Sequence, residues 1–172
     1  LGPEFTSHPA PLALTEVAGD FDLRTQVDGT MLPGLEPVKY RGRPLPNTYQ
    51  GAGLILYEDR NNYLRIERGA TAQPSRPEVS SEVVIEVRDN GRAEAPHVQG
   101  VPEGPLSVRI LRTRDAVRCM FGRDGNWFAT HQLVVRFPDK VRVGLIATNL
   151  SKERQIARFL DRSLVLGDPD EE

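Results

Sequence analysis

The residues best suited to chemistry in this chain are polar and aromatic side chains that alternate with apolar ones. Flat aromatic rings combined with bidentate polar groups are a common means of holding a sugar. Alternation in a β-strand places such residues on a sheet face turned away from the core. We therefore predict a ligand-binding face made of Tyr63, Arg65, Glu67, Glu86, Arg109 and Trp127. The alternative is an ordinary solvated face with cross-strand arginine–glutamate pairs, on which Trp127 only caps one end of the fold.

Two of these residues raise the question of catalysis. Glycoside hydrolysis usually needs a pair of carboxyl groups about 5 to 10 Å apart. Glu67 and Glu86 could meet across neighbouring strands, but Arg65 and Arg109 would pair with them more naturally. We therefore assign no catalytic residue and favour a binding module over an enzyme.

Oxygen-rich turns raise the question of a metal ion, because calcium prefers oxygen ligands. Hairpin ends favour Asx residues and glycine for conformational reasons alone. We therefore assign the Asp and Asn residues of these turns to turn formation and predict no cofactor, with calcium as the alternative. The residues concerned are Asp59, Asn61, Asn62, Asp89, Asn90, Asp124 and Asn126. His8, His97 and His131 lie in separate predicted loops without a second ligand at a useful spacing, which argues against zinc.

Charge argues against two classes of partner. A net charge of -2 over 172 residues creates no field that would recruit nucleic acid or an anionic membrane. The densest basic run comprises Arg109, Arg112, Arg114 and Arg118. A turn interrupts this run, and strand alternation places its arginines on different faces, so we predict no nucleic-acid partner. No apolar run is long enough to span a bilayer, so we also predict no membrane insertion.

Cysteine content says little about the compartment. Cys119 alternates with Val117 and Phe121, which predicts a buried hydrophobic position, and a single cysteine excludes an internal disulfide. Both an extracytoplasmic and a cytoplasmic location therefore stay open.

The element that must position the candidate site is a hairpin between Gly51 and Gly69, in which two alternating runs flank a polar turn. If residues 59–62 form a symmetric loop, Glu58 lies opposite Tyr63. One face then carries Ile55, Tyr57, Leu64 and Ile66, and the other carries Leu54, Leu56, Glu58, Tyr63, Arg65 and Glu67.

The rest of the chain also alternates like an antiparallel β protein. Strands are predicted within residues 19–27, 81–89, 105–114, 116–123, 126–130, 141–149 and 155–166. Proline-rich loops are predicted at 31–50 and 70–80, and a single helical turn at 150–154. About nine strands without helical periodicity favour a two-sheet antiparallel sandwich, with a closed barrel as the main rival.

Several segments follow one another in an order that resembles a known group. They are GDFDLRTQV, YQGAGLILYEDRNNYLRIERG, VVIEVRDNG, PLSVRILRTRDAVRCMFGRDGNWF and VRVGLIATN. Over residues 18–165 the chain resembles bacterial concanavalin A-like domains of the lectin and glucanase fold, related to the regulation-of-enolase group. The resemblance implies a jelly-roll sandwich whose concave sheet carries the ligand in lectin and glucanase relatives. The E-x-D-x-E strand of laminarinase-like enzymes of this fold is missing here.

These observations lead to one domain and one leading hypothesis. We predict a single sandwich domain at 18–166, with a cloning remnant at 1–5, an extended segment at 6–17 and a disordered acidic tail at 167–172. The leading hypothesis is a non-catalytic module that binds carbohydrate or another polar small molecule. The alternatives are a structural or protein-interaction domain that contacts other domains of a longer parent chain, and a glycoside hydrolase with an unrecognised acid pair.

Overall fold

The computed structural model describes residues 10–40, 43–94, 96–114, 116–133 and 137–167, and in these ranges it contains strands and no helix. The all-β prediction is therefore confirmed. The strands are β1 (Leu12–Ala18), β2 (Phe21–Thr30), β3 (Lys39–Tyr40), β4 (Arg43–Pro44), β5 (Thr48–Asp59), β6 (Asn62–Gln73), β7 (Arg76–Asp89), β8 (Arg92–Ala93), β9 (His97–Gly100), β10 (Leu106–Thr113), β11 (Ala116–Arg123), β12 (Asn126–Leu133), β13 (Lys140–Leu150) and β14 (Ile156–Leu166).

The strands form two antiparallel sheets in a jelly-roll sandwich, as predicted. Sheet A has the order β1-β13-β5-β6-β7-β8, with β9 also paired to β7, and sheet B has the order β12-β11-β10-β2-β14. Strands β3 and β4 form a separate two-stranded ribbon. The described ranges contain no helix that is long and apolar enough to cross a lipid bilayer.

The core lies between the inner faces of the two sheets. Sheet A contributes Leu54, Leu56, Leu64 and Ile66, each with 0 % of its surface exposed, and sheet B contributes Phe21, Val108, Ile110 and Cys119 in the same state. Burying one such leucine or isoleucine stabilises the fold by about 1.5 to 3 kcal/mol. Every second residue of each central strand is thereby fixed inward, and the alternate residues are fixed outward.

The register of the β5–β6 hairpin differs from the prediction by one residue on β5. Tyr57 lies opposite Tyr63 and Asp59 opposite Asn62, so the turn is tight and the register shifts at Glu58. The Asp59 carboxylate accepts hydrogen bonds from the backbone N–H groups of Asn61 (2.6 Å) and Asn62 (3.0 Å), which closes this turn. These hydrogen bonds, with those from the Asn62 side chain, lower the pKa of Asp59.

The shift changes which residues share a face. Leu54 and Leu56 face the core together with Leu64 and Ile66, whereas Ile55 and Tyr57 join Tyr63, Arg65 and Glu67 on the other side. The predicted assignment of the four β5 residues to the two faces is therefore wrong. The error arises because the irregularity at Glu58 adds one residue to β5 and no glycine marks its position in the sequence.

Other boundaries were also predicted imperfectly. The expected loop at 70–80 is a hairpin end instead, because β6 continues to Gln73 and β7 begins at Arg76. The helical turn expected at 150–154 is wrong, because side-chain hydrogen bonds from Ser151 N–H to Asn149 Oδ1 and from Glu153 N–H to Ser151 Oγ shape these residues into bends.

The N-terminal segment contributes an edge strand to sheet A. Strand β1 pairs with β13 along residues 12–18, inside the segment expected to be merely extended. The predicted cloning remnant at 1–5 and the acidic tail beyond residue 167 lie outside the described residues.

Candidate functional site

Four of the six predicted site residues meet on the outer face of sheet A, which is the face turned away from the core. Tyr63, Arg65 and Glu67 project from β6, and the register places Arg65 directly opposite Glu86 of β7. On the other side of β6, Glu67 lies opposite Gly53, so β5 offers no side chain at that point.

Arg65 joins the two glutamates into a buried ionic network. Its Nη1 lies 2.9 Å from Glu67 Oε2 and its Nη2 lies 2.7 Å from Glu86 Oε2. Thr148 of β13 completes this centre, because its hydroxyl accepts from Arg65 Nη1 (3.0 Å) and donates to Glu67 Oε1 (2.7 Å). Arg65 is 3 % exposed and both glutamates are 0 % exposed. Sequence reasoning missed Thr148, although its alternation with Ile146 would have placed it on the same face.

Two tyrosines extend the network at either end. The Tyr63 hydroxyl donates to Glu86 Oε1 at 2.6 Å, and the Tyr49 hydroxyl donates to Glu67 Oε2 at 3.2 Å. The Tyr49 ring can lie against the sheet only because its neighbours are glycines: a Cβ at Gly51 or Gly69 would come within 2.2 or 2.5 Å of the Tyr49 hydroxyl oxygen. Sequence reasoning left Tyr49 in a loop and so missed it.

The electrostatics of the network favour the charged form of Arg65 and the neutral forms of the two tyrosines. Burial by itself would lower the pKa of Arg65, but the nearby carboxylates of Glu67 and Glu86 outweigh it and raise that pKa above its usual range. Burial, followed by the adjacent carboxylates, raises the pKa of Tyr49 and of Tyr63. Because both carboxylates are bonded and sealed from solvent, this pair offers no accessible acid and base to a bound glycoside.

The outer face of sheet A is divided into a covered half and an open half. At the covered half, Leu45 and Leu150 pack with Tyr49 and Val84, so the chain closes this region with its own side chains. At the open half lies a cavity of about 330 Å³, which we call the Tyr57 cavity. Its lining includes Ala10, Pro11, Ile55, Tyr57, Arg60, Tyr63, Arg65, Ile146, Thr148, Asn149 and Gln155.

The rim of the Tyr57 cavity combines one aromatic ring with several polar groups. The half-buried Tyr57 ring has the Arg142 guanidinium 4.8 Å from its centroid. Gln155 Nε2 donates to the Gly51 carbonyl at 2.8 Å, which orients the Gln155 side chain. Asn149 is held in the same way, since its Nδ2 donates to the Glu153 carbonyl at 3.0 Å.

The prediction that Arg109 and Trp127 share this face is wrong. Both belong to sheet B, where Arg109 on β10 pairs with β2 and Trp127 lies on β12. The expected pairing of Arg109 with a glutamate of sheet A is replaced by a bidentate contact, in which its Nε and Nη2 donate to the Asp22 carboxylate at 2.8 and 2.9 Å. The Arg109 guanidinium lies 5.9 Å from the Trp127 ring centroid, on the outer side of sheet B.

Metal ligands do not converge in the described part of the chain: no group of three His, Cys, Asp or Glu side chains there is placed to hold an ion. Asn90 and Asp124 adopt positive φ angles of 49° and 53° in their hairpin turns, in keeping with their assignment to turn chemistry. His97 lies on β9, while His8 and the His131 side chain fall outside the described residues.

Comparison with known proteins establishes the fold. No family model matches the chain, and no curated protein matches its sequence. A functionally unknown protein from Saccharomyces cerevisiae superimposes with a TM-score of 0.68 at 18 % identity, covering 92 % of this chain and 76 % of that one.

Two further solved structures share the architecture. A xylan β-1,4-xylosidase from Bacillus halodurans C-125 gives a TM-score of 0.63 at 15 % identity over 90 % of this chain, which spans only 30 % of the xylosidase. Xenopus laevis galectin-Ib gives 0.50 at 10 % identity, covering 90 % of this chain and 100 % of the galectin. At such identities the similarity shows the fold alone, a two-sheet jelly roll.

Proposed function

We propose that this domain is a non-catalytic module that binds carbohydrate in the Tyr57 cavity. The observation that carries the proposal is the mixture of aromatic, aliphatic and polar side chains that line the cavity, above a floor whose side chains are already held by hydrogen bonds. Its volume of about 330 Å³ lies at the lower end of the range usual for small-molecule sites. An aromatic ring, aliphatic walls and a few polar groups are the combination that a sugar requires, because a sugar has both C–H faces and hydroxyl groups.

The ionic network supports this role by holding the cavity floor rigid. Arg65 and Thr148 line the cavity, and both are fixed by hydrogen bonds to buried glutamates. A site whose floor is already ordered loses less entropy on binding than one that must order itself. The network therefore acts as a support for the ligand contacts made by Tyr57, Arg60 and Gln155 at the rim.

The shared fold is consistent with the proposal. One protein with this architecture is named for its action on xylan, a polysaccharide, and another is a galectin. The finer relationship, to bacterial domains of the regulation-of-enolase group, stays a prediction.

A glycan array followed by isothermal titration calorimetry tests the proposal. We expect Tyr57→Ala to weaken binding of an array hit tenfold or more, which corresponds to about 1.4 kcal/mol. Trp127→Ala is the matched control, because it removes an aromatic ring from the outer side of sheet B. Unchanged affinity in Tyr57→Ala, or loss of binding in Trp127→Ala, would contradict the assignment to this cavity.

A second candidate function, contact with another protein or domain, is favoured by edge strand β14. Four of its apolar side chains are exposed: Ile156 (40 %), Leu160 (41 %), Val165 (47 %) and Leu166 (60 %). The fold also occurs as less than a third of the xylosidase chain. The proline-rich segment at 31–50 packs Leu45 over sheet A and leaves Leu32 and Leu35 exposed. We expect the β14 amides to exchange hydrogen more slowly in the full-length gene product than in this domain alone. Equal exchange rates in the two proteins would contradict this candidate.

A further inference from the structure

A second arginine lies at a position where the alternation of β6 calls for an apolar residue. Arg68 falls between Ile66 and Ala70 on the inner side of β6, and it is only 6 % exposed. Burying a guanidinium is costly unless an opposite charge and hydrogen-bond acceptors compensate it. The compensation available to Arg68 therefore decides what this position can do.

The contacts of Arg68 within the protein are few. Its Nη1 donates to the Gly29 carbonyl at 3.2 Å and contacts Met31 Sδ at 3.6 Å, while its Nε is buried without a hydrogen-bond partner. Among the described residues, no carboxylate forms an ion pair with it, in contrast to Arg65 and Arg109. Burial lowers the pKa of Arg68 and outweighs the carboxylates of Asp28 and Glu103, which act to raise it, while the positive charge of Arg123 acts in the same direction as burial.

Arg68 lines a cavity of about 220 Å³, which lies between the end of β2, the start of β7 and the loop before β10. Ser81 lines the same cavity and offers a hydroxyl donor. The loop at the mouth is secured by Arg123, whose Nη2 donates to the carbonyls of Pro102 and Glu103 (2.8 Å to the latter). The neighbourhood thus contains the guanidinium groups of Arg68 and Arg123 and two carboxylates, that of Glu103 at the mouth and that of Asp28, which is paired with Arg158 at 3.5 Å.

We propose that this cavity binds a small oxyanion, a carboxylate or phosphate group, through the Arg68 guanidinium. The anion supplies a directly bonded negative charge and acceptor oxygens, which no carboxylate of the described residues gives to Arg68, and Ser81 donates a further hydrogen bond. Charge-assisted hydrogen bonds of this type are roughly twice as strong as those between neutral groups. The site is independent of the Tyr57 cavity, which lies on the opposite side of sheet A.

Backbone amide NMR titrations of the whole chain test the proposal, with sodium phosphate and sodium acetate as separate probes and sodium chloride keeping the ionic strength constant. We expect saturable shifts at Gly29, Met31 and Gly104, with tighter binding of whichever oxyanion the cavity fits better. Arg68→Met should weaken binding at least tenfold. Glu103→Gln should strengthen it several-fold, because it removes a competing negative charge at the mouth.

Arg118→Gln removes one exposed positive charge on sheet B and should leave both titrations unchanged. Shifts that fail to saturate, or that persist in a folded Arg68→Met protein, would overturn the proposal. If Arg68→Met does not fold, Glu103→Gln decides alone: unchanged or weaker affinity in that variant would overturn it.

Discussion

Arg65→Met should destabilise the protein strongly, because it removes the cation that forms ion pairs with both buried glutamates. Glu67 and Glu86 would lose that partner at positions that are 0 % exposed. Removing one partner of a buried ion pair typically costs about 3 to 5 kcal/mol. Since Arg65 serves two carboxylates, we expect a loss at the upper end of that range. For a chain of this size, a loss of about 5 kcal/mol corresponds to a fall in melting temperature of about 10 to 20 °C.

The physical cause can be separated from a simple packing defect. The triple variant Arg65→Met/Glu67→Gln/Glu86→Gln keeps similar side-chain volumes and removes all three charges. Because the cost of breaking a buried ion pair comes from the charge that is left uncompensated, and this variant leaves none of the three charges, it should recover most of the lost stability. Urea unfolding at pH 7, followed by circular dichroism, measures the free energy of unfolding of each protein.

A second arginine provides the matched control. Arg109→Met breaks the bidentate pair with Asp22, whose side chains are 21 % and 9 % exposed. Solvent screens this pair more than the Arg65 network, so its loss should cost clearly less. If Arg65→Met costs no more than Arg109→Met, or if the triple variant is no more stable than Arg65→Met alone, the electrostatic reasoning is refuted.

Three further predictions concern burial. The folded-state pKa of Tyr49 and of Tyr63 is raised, so the contribution of each group to stability is complete below about pH 10 and is lost above it. The free energy of unfolding should then fall by about 1.4 kcal/mol per pH unit for each group. Urea unfolding between pH 9 and pH 11 should show this slope, and Tyr63→Phe should reduce it. Burial raises the pKa of the Cys119 thiol to about 12, so we expect iodoacetamide to modify it at pH 8 only in denaturant, and rapid alkylation of the native protein would count against the burial described here. Gly53→Ala should destabilise the protein by about 1 to 3 kcal/mol, because the new Cβ would lie 1.9 Å from a backbone carbonyl oxygen of the next strand, whereas Gly100→Ala, with no atom within 4 Å, should change the melting temperature little.

Much of the architecture could be predicted from local patterns. Period-two alternation identified the central strands, and Asn90-Gly91 and Asp124-Gly125 marked two hairpin turns that the structure contains. Alternation also placed Cys119 inside and the Trp127 side chain outside. These features depend on neighbours along the chain, so a single sequence is sufficient to reveal them.

The composition of the candidate site could be predicted only in part. Tyr63, Arg65, Glu67 and Glu86 came together because β6 and β7 are consecutive strands of one hairpin. Tyr49 was missed because it lies at the start of β5, in a segment whose proline content predicted a loop, whereas Thr148 comes from β13 and lies 81 residues beyond Glu67 in the chain. Such long-range pairing leaves no local signal.

Alternation in the sequence determined that each strand has an inner and an outer face, and hence that the fold is a layered β structure. Tertiary structure decided which outer face each residue joins, because a sandwich has two such faces and period-two patterning is the same on both. Arg109 and Trp127 therefore lie on sheet B, while Leu45 covers the part of sheet A that carries Tyr49 and Val84, and the Tyr57 cavity stays open. Sheet membership and coverage both depend on contacts between distant segments, and only the folded chain brings those segments together.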